Sequence, residues 1–373
     1  MKIKKILTVI SVVLSGTAFP QGEYIPNMYN GILANLYLNH QPYAKGEALG
    51  RGLVANYEGS FGSYYNPALT SLNKGFNTDI SYTESDKTKP SMTYLGVSYS
   101  NEKLGSIGVS GFYYSKPDIK RRPRISEYNI TSYYDVLYTV NYSREVFKDF
   151  YAGVNLGVYH YSGYTYFDME YPEYFFLRDG ITLDLGLLKR FNFNVLNTKH
   201  LVQIGAAAYN VTDSKIDFEY DAKESLPVIV RAGASHRLIL PQSSLNNSTD
   251  FLSVFSHFEY EKVINSYLNE VFKIGEEVTI KDLFSLRLGY FRSKINNGYS
   301  YSFPGFTYTV DDDIQEEFTF GLGVKLPLDK WLKLNNGCSL KIDYSSNGYQ
   351  KYERFEKYTY TYSALGVSLN YIP

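Results

Sequence analysis

Between residues 75 and 372, apolar and polar side chains alternate in segment after segment, and helical spacing is rare. In "LFSLRLGYF" (283–291), Phe284, Leu286, Leu288 and Tyr290 share one face, and Ser285, Arg287 and Gly289 the other. "FTFGLGVKL" (318–326), "SLKIDYS" (339–345) and "DVLYTVNYS" (135–143) repeat the pattern. Fourteen such segments are predicted: 75–83, 91–100, 104–115, 131–144, 150–163, 180–190, 199–211, 227–239, 250–263, 269–278, 282–294, 313–327, 338–346 and 357–372. Most are longer than the ~5–6 residues usual for soluble strands and match the ~9–11 that a tilted strand needs to cross a bilayer. The polar face then lines a lumen and the apolar face meets lipid. Connections 116–130, 164–179, 212–226, 295–312 and 347–356 are long, while 101–103, 145–149 and 279–281 are short. Long outer loops over short periplasmic turns are expected of an outer-membrane barrel. Connections 240–249 and 328–337 are longer than that scheme wants and leave room for a miscounted strand. The predicted fold is all-β: a 14-stranded antiparallel transmembrane β-barrel over 75–373, preceded by an N-terminal hatch or plug.

The N-terminus sets the compartment. Lys2, Lys4 and Lys5 precede an apolar run, 6–18, that ends in the small residues Gly16 and Ala18. That is the layout of a secretory signal peptide over 1–18, cleaved within about 18–22. Residues 19–74 then form an N-terminal extension and lumen hatch. No later apolar run reaches the ~18 residues of a spanning helix, yet the chain holds 39 Tyr, 23 Phe and 29 Gly. Abundant tyrosine suits a membrane interface. One cysteine, Cys338, excludes a disulfide scaffold. The net charge is −1 and falls to about −4 without the three signal lysines, so nothing favours nucleic acid.

The last strand, "LGVSLNY" (365–371), places Gly366, Leu369 and Tyr371 in a glycine–apolar–aromatic spacing. It resembles the C-terminal signal read by the outer-membrane assembly machinery.

Residues 23–74 do not alternate. Within "EALGRGLVANYEGSFGSYYNPALTSLNKGF" (47–76), Pro67 fixes its own φ and biases Asn66 toward extended geometry. An Asn side chain fixes such a turn by bonding nearby backbone. The glycines at 46, 50, 52, 59 and 62 let backbone approach a barrel wall closely. Leu49-Gly50-Arg51 and Asn66-Pro67-Ala68-Leu69 resemble the hatch of the FadL superfamily, whose strand number is also fourteen. "LPVIVRAGASHRL" (226–238), "FSLRLGYF" (284–291) and "FTFGLGVKLPL" (318–328) resemble the late strands of its PorV branch, the outer-membrane barrel of type IX secretion systems. The tyrosine-rich loops and residues 25–46 fit that branch less well. The resemblance implies the outer membrane of a Gram-negative, Bacteroidota-type bacterium, no cofactor and no enzymatic activity.

The residues agree on chemistry. The five histidines show no two-His metal spacing. His257-Phe258-Glu259 puts two candidate ligands on one strand face without a third, so no metal is expected. No G-x-S-x-G elbow occurs and Cys338 has no motif, so no catalytic residue is predicted. "KPDIKRRPR" (116–124) and "DDDIQEE" (311–317) read as solvated loop charge or as docking sites for a partner or charged head groups. "YTYFDMEYPEYFF" (164–176) is the most aromatic predicted loop. Its Tyr164, Tyr166, Phe167, Tyr171, Tyr174, Phe175 and Phe176 suit either a protein contact or a lid folded over the barrel mouth.

Two functions follow. The first is a non-enzymatic partner subunit of an outer-membrane export or assembly complex, in contact with outer-membrane lipid and other outer-membrane or periplasmic proteins. The alternative is a FadL-like passive channel, with a hydrophobic ligand or lipid in its lumen. Asn66-Pro67-Ala68 is expected at the periplasmic entrance.

Overall fold

The computed structural model describes residues 41, 43–56, 59–85, 91–116, 129–167, 174–196, 198–212, 215–217, 223–241, 250–264, 268–295, 300–303, 306–309, 313–332, 337–353 and 356–372. The predicted signal peptide, residues 25–40, most of the 116–124 basic cluster and Tyr171 lie outside them.

Fourteen strands close into one barrel. They are β1 (Gly75–Ser85), β2 (Ser91–Asn101), β3 (Gly105–Lys116), β4 (Asn129–Phe147), β5 (Phe150–Phe167), β6 (Tyr174–Val195) and β7 (Thr198–Tyr209). After two short strands, β8 (Lys215–Asp217) and β9 (Lys223–Ser225), come β10 (Ile229–Pro241), β11 (Asp250–Val263), β12 (Leu268–Ile280) and β13 (Phe284–Ile295). A second short pair, β14 (Ser300–Phe303) and β15 (Phe306–Thr309), precedes β16 (Asp313–Pro327), β17 (Gly337–Glu353) and β18 (Glu356–Ile372). Each barrel strand pairs antiparallel with its chain neighbours, and β1 pairs with β18 from Phe76↔Tyr371 to Ser85↔Tyr362. Closure leaves no open edge, which is what a sheet needs in lipid.

All fourteen predicted segments are barrel strands. The doubt over two connections resolves without an extra barrel strand: Leu328–Leu332 forms a short helix between β16 and β17, and β10 and β11 are neighbours across 242–249. The predicted loops are shorter than expected because pairing runs further outward. Tyr164, Tyr166 and Phe167 belong to β5, and Tyr174, Phe175 and Phe176 to β6, with Tyr164 opposite Phe175. The aromatic stretch is thus mostly a strand extension, not a free loop. Likewise β17 and β18 stay paired out to Glu353↔Glu356.

The faces follow the alternation. Ile80, Leu286 and Phe320 are about half exposed on the outside, while Glu259, Arg287 and Asp343 are fully buried inside. A soluble protein reverses that arrangement, and a transmembrane barrel requires it. Among the described residues no helix is long and apolar enough to span a membrane. The lumen holds the described residues 41, 43–56 and 59–70, all of them buried.

Candidate functional site

The hatch is built from pieces too short to fold alone. A helix, Ala44–Ala48, runs into a reversal at Gly50 and Arg51, both at φ 67°. Glycine serves the first position twice. It tolerates the left-handed backbone, and a Cβ there would meet the carbonyl oxygens of Tyr290 and Ile274 at about 2.5 Å. A second helix, Gly62–Tyr65, leads to extended Asn66 and a 3-10 turn, Pro67–Leu72. Asn66 Oδ1 accepts from Ala68 N at 3.0 Å, and its Nδ2 donates to the carbonyls of Val54 and Leu187 at 2.9 and 3.0 Å. Proline at the first turn position loses only an N–H that had no partner there.

Glycines of the wall seat the hatch. Three cross-strand pairs, Gly153↔Gly186, Gly205↔Gly233 and Gly275↔Gly289, face the lumen. A Cβ on the first pair would strike Asn66, Pro67 and Ala68; on the second, Val54 and Ala55; on the third, Leu49 and Gly50. Gly96, Gly321 and Gly366 face Ser60, Ala48 and the Tyr43 ring in the same way. The paired sockets let hatch backbone lie directly on strand backbone, while Gly96, Gly321 and Gly366 make room for hatch side chains.

Buried backbone groups must find partners, and wall side chains supply them. Asn155 donates to the Ser63 carbonyl at 2.9 Å, Asn141 to that of Pro67 at 3.1 Å and Ser235 to that of Ala55 at 3.1 Å. His257 Nε2 donates to the Leu49 carbonyl at 2.8 Å, and Tyr209 to that of Tyr65. Thr319 donates to the Ala48 carbonyl and accepts from Gly50 N, both at 3.0 Å. Glu259 accepts from Val54 N at 2.8 Å, and Asp79 accepts from Ser60 N and Phe61 N.

Three buried ion clusters add charge. Arg51 reaches Glu47 at 3.1 Å and Glu317 at 2.8 Å, with its guanidinium 4.8 Å from the Phe291 ring centroid. Lys273 joins Glu259 at 3.0 Å and Glu261 at 2.7 Å, and Arg231 joins Glu261 at 2.5 Å. Lys45 meets Glu277 at 3.1 Å, Arg287 bridges Glu277 at 2.5 Å and Asp343 at 2.7 Å, and the Tyr43 hydroxyl bonds Asp343. Burial pulls the Lys45 ammonium down to about 8 against the attraction of Glu277. Burial, then Asp343, holds the Tyr43 hydroxyl well above its ordinary value, so it stays a donor. Burial also pushes Tyr64 up to about 12.

On the long-loop side the wall is aromatic over β2 to β7. Tyr94, Phe112, Tyr114, Tyr159, Tyr161 and Tyr209 are buried there. Phe61 of the hatch stacks on Tyr43 at 4.1 Å and meets Tyr94 at 4.5 Å; Tyr64 meets Phe112 at 5.7 Å. A space of about 20 Å³, lined by Tyr64, Tyr94, Phe112 and Tyr209 together with Asn155, Asp184 and Arg231, has room for about one water.

The predicted hatch residues converge on this lumen: Leu49, Gly50, Arg51, Asn66, Pro67, Ala68 and Leu69 are all buried within it. Asn66-Pro67-Ala68 is buried against Gly153 and Gly186, the first of them four residues from the short turn at Asp149. Gly366, Leu369 and Tyr371 divide: the first faces the Tyr43 ring, and the other two point outward, each 37% exposed. Glu317, in the acidic cluster, is the buried partner of Arg51 and not a solvated loop charge. His257 and Glu259 do share a lumen face, where both hold hatch backbone. Among the described residues no three His, Cys, Asp or Glu side chains are grouped to hold a metal ion. The sequence signal for the glycine pairs is glycine recurring at mid-strand, on the polar face, in strand after strand.

No known family profile and no curated protein matches the chain. Solved structures do. The CymD monoaromatic hydrocarbon channel aligns at TM-score 0.52 and 10% identity, over 88% of this chain and 97% of that one. The deltaS2S3 mutant of the TodX monoaromatic hydrocarbon channel aligns at 0.51 and 12%, over 88% and 98%. A FadL homologue of Pseudomonas aeruginosa aligns at 0.48 and 9%, over 88% and 98%. At these identities the likeness is one of fold alone: the barrel architecture shared with the CymD and TodX structures.

Proposed function

We propose that the protein is a non-enzymatic outer-membrane channel that passes small hydrophobic molecules, with the hatch as its internal gate. The observation that carries this reading is the aromatic wall on the long-loop side, which runs without a break into Phe61, Tyr64 and Tyr65 of the hatch. Such a wall, now covered by the hatch, offers apolar contact area to a hydrophobic molecule once the hatch moves off it. The hydrocarbon channels that share the fold support the same class of cargo. The test is uptake of a labelled monoaromatic compound by whole cells carrying the barrel. A several-fold gain over cells lacking it, lost in Tyr94→Lys, is the expected result; equal uptake refutes the channel.

One feature favours the partner-subunit reading instead. The hatch is fixed to wall strands all around the barrel, through glycine sockets, hydrogen bonds to its backbone and the ion pairs Arg51–Glu317 and Lys45–Glu277. A static plug suits a docking platform better than a pore. That reading, and the Bacteroidota-type host, rest otherwise on the PorV resemblance. Stoichiometric co-purification of other envelope proteins in mild detergent supports it, and a lone barrel counts against it.

A further inference from the structure

The outside of β12 carries a charge where lipid calls for apolar side chains. Its outward row reads Phe272, Ile274, Glu276, Val278, Ile280, so a carboxylate stands at the centre of four apolar residues. Lys273 and Glu277, the alternates, are buried in the lumen, which fixes Glu276 on the outer face. Outward charges elsewhere in the described strands keep to the barrel ends. Arg144 and Lys189 lie beside the β4–β5 turn, and Arg292 pairs with Glu316 at 3.3 Å on the long-loop side. An ionisable group set among lipid-facing residues is costly, and in membrane proteins such groups face a partner.

Glu276 belongs to a polar band. It lies opposite Ser256 of β11, and Ser256 lies opposite His236 of β10. Glu276 and His236 are exposed and Ser256 is half-buried. His236 Nε2 is 3.0 Å from His200 Nδ1, and the two rings stack at 5.2 Å. His236 Nδ1 and both oxygens of Glu276 have no partner among the described residues. Two strand spacings, ~9.5 Å, separate them, and they do not bond within the chain. The wall beside the band is low: Ala232 and Ala234 are outward on β10, and Ala206 of β7 lies opposite Ala232. Small side chains let two membrane surfaces approach closely, and in lipid it is packing and hydrogen bonds that hold them together.

We propose that this band is the contact between two copies of the chain, related by a two-fold axis along the membrane normal that passes beside Ser256. In a two-fold interface every contact occurs twice, residue i meeting j and j meeting i. Glu276 of one copy then meets His236 Nδ1 of the other, and the same pair forms again across the axis. A carboxyl and an imidazole hydrogen-bond to each other whichever of them carries the proton. The chain holds both groups, one on each side of Ser256, and a second copy satisfies them where lipid does not. The contact lies outside the wall and does not depend on what the lumen passes.

The test is disulfide trapping in the outer membrane of cells carrying the barrel. Ser256→Cys, in a chain whose one cysteine is removed as Cys338→Ala, should give a disulfide-linked dimer, because residues at a two-fold axis come within bridging distance. Leu156→Cys, on the outward face of β5, should stay monomeric under the same oxidation. In mild detergent, sedimentation of the unaltered chain should show a dimer. Glu276→Leu and His236→Leu should each lower its association constant by about tenfold or more, the effect of one charged hydrogen bond. The exchange of Glu276→His with His236→Glu should restore it. Migration of the unheated barrel on gels confirms that each variant is folded, and if one at 236 or 276 is not, trapping at 256 decides. Equal trapping at 256 and 156, a Ser256→Cys chain that stays monomeric or is trapped only to a different protein, or undiminished association in a folded Glu276→Leu overturns the proposal.

Discussion

At the scale of the residue, the hatch is held by what the wall lacks. Gly289 is the sharpest case: a Cβ there would run into Gly50 N, Leu49 C and, at 2.5 Å, Thr319 Oγ1. Two of those three atoms are backbone and have no freedom to move aside. Gly289→Val should therefore unseat the hatch at a cost of at least about 1–3 kcal/mol. Limited proteolysis at Arg51 of the folded barrel reads this as faster cleavage. Gly111→Val is the control, because a Cβ there meets only the Tyr138 ring at 3.5 Å, and its cleavage rate should match that of the unaltered protein. Lys45 supplies a pH prediction. Its docked value is about 8 and its ordinary value 10.5. Between those values the released hatch binds more protons than the docked one, so docking strengthens as pH rises. Below about 8 both forms hold the proton and the dependence disappears. Cleavage at Arg51, normalised to an unstructured peptide at each pH, should slow from pH 8 to pH 10, and Lys45→Met should abolish the slope. Unchanged rates across that range in the unaltered protein would sink the assignment.

At the scale of the element, alternation carried almost everything. A period of two assigns each strand residue to lipid or lumen, and Leu286, Arg287 and Leu288 lie where that period puts them. Strand ends were less legible, because the pairing of β5 with β6 past Tyr164↔Phe175 comes from contact between distant segments. The hatch motif was legible from Asn66, Pro67 and Gly50, which carry local backbone signals. Its partners were not. Glu317, Thr319 and Asn155 are ordinary polar strand residues until the barrel closes around the hatch. Gly366, Leu369 and Tyr371 show the same split within one strand. As a linear signal they form one motif, yet β18 sends the glycine inward and the other two toward lipid. Gly366→Val should leave barrel assembly intact and speed hatch cleavage. Leu369→Lys should instead reduce the yield of assembled barrel, since a lipid-facing lysine costs up to about 2–4 kcal/mol. Reading heat-modifiability and Arg51 cleavage on both variants separates the roles. Equal assembly defects in the two would show that Gly366 acts through the signal and not through the hatch.

At the scale of the whole molecule, the question is whether the barrel is closed by its wall or by its plug. A larger barrel of about 16–18 strands leaves an aqueous channel when its lumen is empty. Here fourteen strands enclose a lumen in which the described hatch residues, 43–56 and 59–70, are buried. The wall contributes long side chains too, but Arg51, Arg231 and Arg287 are fixed by carboxylates, two of them wall to wall. The wall clusters of Arg231 and Arg287 persist without residues 47–69, because Glu261, Glu277 and Asp343 all belong to strands. Deletion of 47–69 should therefore leave a folded barrel, recognisable by its migration when unheated, and open a path where Leu49, Val54 and Phe61 now sit. Efflux of a small polar dye from liposomes should rise by about tenfold or more, as expected when a packed lumen becomes water-filled. The polar wall left behind, with Glu259, Glu261, Lys273 and Arg231 facing the new channel, should pass polar solutes and not hydrophobic ones. A folded deletion with unchanged efflux would mean that the wall itself seals the barrel and that the hatch is no gate.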